Sequence, residues 1–191
     1  IYDLADEKWN GKCAIARPVF GTTATHATVL ISELGEQKGK ALLSSIASNA
    51  VIEGGNKQVA TKVASGQYAF GITDTDDAVI ELEKANPVVI VFPDQGEDQL
   101  GTMVIPNTLA LIKNGPNTER AKKLIDRLLK SDIEKRLAAG SSAQLPLATD
   151  ITQTWRVETE VAPQKKLKHM QVDFSAAAET WDDVKDFLSN L

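Results

Sequence analysis

The chain has 191 residues, 42% hydrophobic and 25% charged, enough for a folded protein with a sizeable core and room for two compact units. A formal net charge of −5 gives no electrostatic footprint for nucleic acid, and no apolar run approaches the ~18 residues that cross a bilayer. The single cysteine, Cys13, excludes an internal disulfide and a cysteine-rich metal site.

The opening residues, IYDLADEKWNGK, lack the pattern of an export signal, which leaves either a cytoplasmic protein or a natural start that has been removed. Lys12 to Ala16, KCAIA, reads as a brief apolar strand closed by Arg17 and Pro18. FGTTATHATVL, Phe20 to Leu30, then opens a helix that Gly35 ends, and KALLSSIASN, Lys40 to Asn49, gives a second. Asn56 is expected to cap a third, KQVATKVAS, in which Val59 and Val63 share a face and Gly66 is the stop. YAFGI, Tyr68 to Ile72, reads as a strand, and DTDDAVIELEKA as a helix with acids in its first turn, where the macrodipole favours them. VVIVF, Val88 to Phe92, is a continuous β-branched run of the kind buried on both faces of a sheet. Strands alternating with helices predict an α/β protein with largely parallel strands.

After Pro93 and Asp94 the texture changes. DQGEDQLGT is polar and glycine-containing, as a crossover between units would be, and TMVIPNTLALIK predicts two short strands around Pro106. Two helices follow, NTERAKKLIDRLLK and SDIEKRLAAG. The first has Asn117 as a cap and an apolar face of Leu124, Ile125, Leu128 and Leu129. An irregular stretch runs to about Phe174, and a last amphipathic helix, Ser175 to Leu191, is expected to bury Trp181, Val184 and Leu188. Lys165, Lys166 and Lys168 form a basic run too short for a binding stripe, and it reads as a solvated face.

Residues with enzyme-like chemistry are scarce. The histidines are His26 and His169, and there is no Gly-x-Ser-x-Gly elbow, Walker loop or zinc-ligand spacing. His26 reads as a polar residue at a helix edge, and Cys13 as a small buried hydrophobe. The lack of a catalytic set favours binding over turnover, so the chain is not expected to be an enzyme. One constellation remains: in FGTTATH, Gly21 lets backbone approach a ligand while free N–H groups and the hydroxyls of Thr22 and Thr23 converge on it. Simple capping explains that stretch equally well. Convergence favours a socket, because Asn56 and the segment Thr73 to Asp77 occupy corners of the same kind, and ligands collect beyond the carboxyl ends of parallel strands.

DLADEKWNGKCAIARPVFGTTATH, GNKQVATKVASGQYAFGITDTDDA, VVIVFPDQ, GTMVIPNTLALIKNGPNTERAKKLIDRLLKSDIEKRLA, AQLPLA and LKHMQVDF, in this order, resemble the second half of periplasmic ferric-ion-binding proteins, the solute receptors of ABC importers. The resemblance implies an α/β fold of the type II periplasmic-binding-protein kind, mostly one lobe built as a three-layer sandwich plus a partial second lobe. Residues 1–92 would be lobe two, 93–143 a returning portion of lobe one, and 144–191 a C-terminal segment packing on lobe two. It further implies a fragment without the leading part of lobe one, a periplasmic or otherwise extracytoplasmic location, an inner-membrane ABC permease as partner, and self-association through apolar surface left uncovered.

The family's anion corner matches Phe20, Gly21 and Thr22, with Thr23 beside them, and its supporting asparagines match Asn56 and Thr73, the latter a departure. Its metal-binding tyrosine pair falls on Thr75 and Asp76, a poorer set for ferric iron than two phenolates. Asp74, Asp76 and Asp77 read either as ligands for a hard cation or as ordinary charge at a helix start. The implied ligand is ferric iron with a synergistic anion, or a small organic or phosphate-type anion. The alternative is the effector-binding domain of a regulator, or an enzyme, on the same fold.

Overall fold

The strand Cys13–Ala16 (β1) is buried at every residue and carries a parallel neighbour on each side. The neighbours are β2 (Val51–Glu53) and β3 (Phe70–Gly71), giving the order β2-β1-β3. These elements belong to a computed structural model that describes residues 1–141, 143–148, 150–151 and 167–191. The chain divides into two units, one of Ile1–Met103 with Leu167–Leu191 and the other of Val104–Lys166.

In the first unit, two short 3-10 turns, Tyr2–Ala5 and Glu7–Trp9, precede β1. Helices α1 (Gly21–Leu34) and α2 (Glu36–Asn49) lead to β2, α3 (Asn56–Ala64) leads to β3, and α4 (Thr75–Glu83) follows it. Alternation along β1 sends its side chains to opposite faces. Cys13 and Ile15 pack with Leu4, Leu42 and Ile46 of the first turn and α2, whereas Ala14 and Ala16 meet Val59 of α3 and Tyr68. The chain steps from β1 to β2 in one direction and from β2 past β1 to β3 in the other. Right-handed crossovers then place the connecting helices on opposite faces, as observed. Small residues let α3 lie close: a Cβ on Gly71 would sit 2.4 Å from Val59 Cγ1 and 2.9 Å from the Ala14 carbonyl oxygen.

The last helix, α7 (Phe174–Ser189), is capped by Asp173, whose carboxylate accepts from the amides of Ser175 and Ala176. It buries Ala177, Val184 and Leu188 against Val29, Leu30 and Ile31 of α1, while Trp181 is half-buried. The second unit contains α5 (Thr118–Leu128) and α6 (Ser131–Ala139). Arg127 grips Asp132 through two 2.7 Å bonds, and Glu134 accepts from the amides of Leu147 and Ala148.

Several expectations are corrected. Val88 to Phe92 forms no strand: Val89 and Val91 are 84% and 75% exposed while their neighbours are half-buried, so the run has one covered face instead of two. No strand flanks Pro106 among the described residues, where Thr102 and His169 make an isolated bridge. The polar stretch Asp94 to Thr102 belongs to the first unit, held by Gln95 to Lys168 and by the Lys168 ammonium on the carbonyls of Gly96, Glu97 and Gln99. Lys168 is thus a tether rather than part of a solvated face, and Lys165 and Lys166 lie outside the described residues. Asn117 stands at the N-cap of α5 without a side-chain cap bond, and the apolar face of that helix is open, with Leu124 58% and Leu129 63% exposed.

Candidate functional site

Each strand of the parallel sheet delivers the chain to the start of a helix: β1 to α1, β2 to α3 and β3 to α4. Because the strands are parallel, all three helix starts lie on the same sheet edge. The α1 turn is made by Phe20 in extended conformation and Gly21 at φ 62°, a left-handed value that a side chain would strain. Phe20 has no side-chain oxygen, and the N-cap residues of α1, α3 and α4 supply no side-chain bond to their helices. No N-cap side chain therefore takes a leading amide of these helices, although those of Gln58 and Asp77 are bonded to the Gly55 carbonyl and the Asp76 carboxylate, and the positive ends of the three macrodipoles lie together.

The side chains between these starts bond to one another. Thr22 Oγ1 donates to Asp74 Oδ2 at 2.9 Å, and Asn56 Nδ2 donates to that same carboxylate oxygen at 2.8 Å and to Thr22 Oγ1 at 2.9 Å. Thr23 Oγ1 donates to Asn56 Oδ1 at 3.2 Å, and Thr73 Oγ1 to the Asn56 backbone carbonyl at 3.0 Å. A carboxylate only accepts, so the amide face of Asn56 toward Asp74 must be its NH₂ side. A hydroxyl has a single hydrogen, and those of Thr22, Thr23 and Thr73 are all given to protein acceptors. In this arrangement the three hydroxyl hydrogens serve the protein's own acceptors.

The structure thus brings Thr22, Thr23, Asn56 and Thr73 into one network around the turn at Phe20 and Gly21. Asn56 is corrected in another respect: Gly55 is the N-cap of α3, and the Asn56 side chain serves its tertiary partners instead of the helix. Phe20 presents a 56% exposed ring. Asp74 is the residue whose part sequence reasoning missed; its N-cap position gave no sign that its carboxylate reaches to α1 and α3.

Beside this network, Thr75 and Asp76 open α4, and the carboxylates of Asp74, Asp76 and Asp77 lie within 4.8 Å of one another, all half-buried. Asp76 Oδ1 accepts from the Asp77 amide at 3.0 Å. Burial pushes the Asp77 carboxyl above the usual range, and the charges of Asp76 and Asp74 push it the same way, against a smaller opposing effect of Lys57. His26, farther along α1, is half-buried, and desolvation lowers its imidazole to about 4, with the amino terminus acting in the same direction and Asp94 against it. Cys13 is fully buried, as expected of a packing residue.

A sheet with helices on both faces and helix starts gathered at one edge is the α/β architecture of type II periplasmic binding proteins. The chain belongs to the bacterial extracellular solute-binding protein family, whose profile matches residues 2–177. A Salmonella typhimurium periplasmic protein named for 2-aminoethylphosphonate binding is 24% identical over 192 aligned positions, covering 98% of this chain and 54% of the relative. The chain therefore spans about half the length of the curated relatives it matches. Among solved structures, the ferric binding protein of Campylobacter jejuni superposes with a TM-score of 0.79 at 22% identity, over 98% of this chain and 60% of that one. A periplasmic binding protein of Actinobacillus pleuropneumoniae, solved with exogenous fructose-6-phosphate, gives 0.72 at 23% identity, over 99% and 59%. These superpositions establish the fold.

Proposed function

We propose that the chain is the anion-gripping portion of an extracytoplasmic solute-binding protein serving an ABC importer, and that its ligand is a small phosphate- or phosphonate-type anion. The observation that carries this reading is the set of three helix starts, none capped by its own N-cap side chain, held together by the Thr22–Asn56–Asp74 network. Amides and helix dipoles converging on one spot suit a tetrahedral oxyanion, whose oxygens accept several hydrogen bonds at once. Gly21, Thr22 and Thr23 contribute backbone, Phe20 shapes the turn, and Asn56 and Thr73 brace it. The names of the relatives agree in kind: one is named for a phosphonate, and another was solved with a sugar phosphate.

Ferric iron with a synergistic anion is the second reading, supported by the carboxylates of Asp74, Asp76 and Asp77 beside the anion corner and by the ferric-binding neighbour. Its donor set is Thr75 and Asp76 in place of phenolates, and ferric iron favours hard anionic oxygen. Partners on this reading are the ligand and a membrane permease, in a periplasmic setting. The exposed Leu124 and Leu129 support self-association of this chain, which light scattering over a range of concentrations reads directly.

Calorimetric titration with 2-aminoethylphosphonate, inorganic phosphate and ferric citrate tests the choice. Heat with either phosphorus oxyanion and none from iron beyond its citrate control supports the first reading. Tight, stoichiometric uptake of iron with no response to the oxyanions would replace it with the second.

A further inference from the structure

Asp74 stands at the N-cap of α4, where an aspartate ordinarily accepts from the amides of its own helix, yet it makes no such bond. Its Oδ2 instead receives the Thr22 hydroxyl from α1 and the Asn56 amide from α3. One carboxylate therefore joins the starts of three helices that follow three different strands. Thr22 Oγ1, Asn56 Nδ2 and Asp74 Oδ2 form a near-equilateral triangle with sides of 2.9, 2.9 and 2.8 Å, so each group limits the freedom of the other two. A negative charge beside an anion socket is unfavourable for direct contact with that anion, since like charges at contact distance repel. Its bonds lead to the frame of the socket.

We propose that Asp74 is a positioning residue: resting on the anion reading above, it draws Thr22 and Asn56 together so that the leading amides of α1 and α3 face one ligand. By taking the Thr22 hydrogen, it also turns that hydroxyl away from the ligand and leaves recognition to backbone N–H. The sign of its effect separates this role from simple electrostatics. Asp74→Asn removes a negative charge at nearly constant size, which on charge alone strengthens anion binding. The neutral amide oxygen that replaces the carboxylate accepts the Thr22 and Asn56 hydrogens less strongly, and the loosened frame weakens binding instead.

The test titrates the full chain, as wild type, Asp74→Asn, Thr22→Val and the double variant, with inorganic phosphate and with 2-aminoethylphosphonate. In parallel, NMR follows hydrogen exchange of the Asn56 side-chain amide in the ligand-free proteins. Asp74→Asn is expected to bind both ligands about tenfold more weakly, the scale of turning two charge-assisted hydrogen bonds into neutral ones. The losses in the double variant should fall short of the sum of the singles, because Thr22 and Asp74 act within one network that Asn56 closes. The Asn56 amide should lose protection in Asp74→Asn. Equal or tighter phosphate binding by Asp74→Asn, or strictly additive losses, would overturn the proposal. So would a loss confined to 2-aminoethylphosphonate, which would mark direct contact between the carboxylate and its ammonium group.

If wild type binds neither ligand, the anion reading fails by itself, and an Asn56 amide equally protected in Asp74→Asn would overturn the positioning role too. Should Asp74→Asn fail to fold, Thr22→Val keeps the carboxylate and is expected to weaken both ligands, although the hydroxyl it removes points at Asp74. Unchanged binding there would overturn the proposal.

Discussion

Tyr68 donates its phenolic hydroxyl to Glu53 Oε1 at 2.6 Å, and both residues are buried. Glu53 is the last residue of β2, two glycines before α3, and its carboxylate also receives Lys62 at 2.7 Å. The Lys62 bond first, and the Tyr68 bond second, hold the Glu53 carboxyl below its usual range. A depressed carboxylate contributes stability that is present above its unfolded value and is lost as pH falls through its folded value. Tyr68→Phe should destabilise the protein by about 1.5–3 kcal/mol at neutral pH, the range for a hydrogen bond to a charged group. Urea unfolding at neutral and acid pH measures this, and a variant as stable as wild type at neutral pH would contradict it.

Gly71 is the position at which α3 approaches the sheet most demandingly. With a Cβ there at 2.4 Å from Val59, Gly71→Ala must shift α3 or β3. Overpacking of this kind costs about 1–3 kcal/mol. Because α3 carries Asn56, the displacement should also weaken oxyanion binding, whereas Ala64→Gly at the far end of the same helix should lower stability without a comparable loss of affinity. Thermal melts and titrations of the pair decide it, and unchanged binding by Gly71→Ala would count against the close-packed frame.

His26 gives a pH signature of the fold. Its imidazole falls from 6.5 to about 4 in the folded protein, chiefly through desolvation. The unfolded chain therefore takes up a proton first on acidification. The stability this group contributes is complete above 6.5 and declines as pH falls toward about 4. His26→Gln should flatten the wild-type loss across that window, as read by urea midpoints. An identical slope in the variant would mean that the ring titrates normally.

Asp77 should make anion binding pH-dependent. Burial, with the charges of Asp76 and Asp74, raises its carboxyl, so in the folded protein it takes up a proton before an ordinary aspartate does. Protonation removes a negative charge from the neighbourhood of the corner. Sulfate affinity should rise as pH falls into the upper carboxylate range, since the charge of sulfate is constant there, and Asp77→Asn should remove part of the rise. A sulfate affinity independent of pH in wild type would contradict the placement of Asp77 near the ligand.

Much of the frame was legible because its signals are local. The apolar run Cys13–Ala16, the stop at Gly35 and the amphipathic spacing of Val184 and Leu188 each act within a few residues, and β1, α1 and α7 formed where they pointed. The run Val88 to Phe92 failed for a physical reason: β-branched composition states that a strand would be favourable, but only a neighbouring strand can complete its ladder, and none pairs with it among the described residues. Asn56 failed differently. Cap preference describes a helix end in isolation, and here the side chain found stronger partners on α1 and α4. The bond between Thr22 and Asp74 spans 52 positions and has no local signal at all. Strand-to-helix corners were readable one at a time; their mutual bracing was not.

The most direct measurement of the central claim is an amide NMR titration of the chain with inorganic phosphate and 2-aminoethylphosphonate. The account predicts that the backbone signals of Gly21, Thr22 and Thr23, together with those opening α3, move first and saturate together, while those of α7 stay in place. Saturating shifts elsewhere with Gly21 to Thr23 unmoved would contradict it.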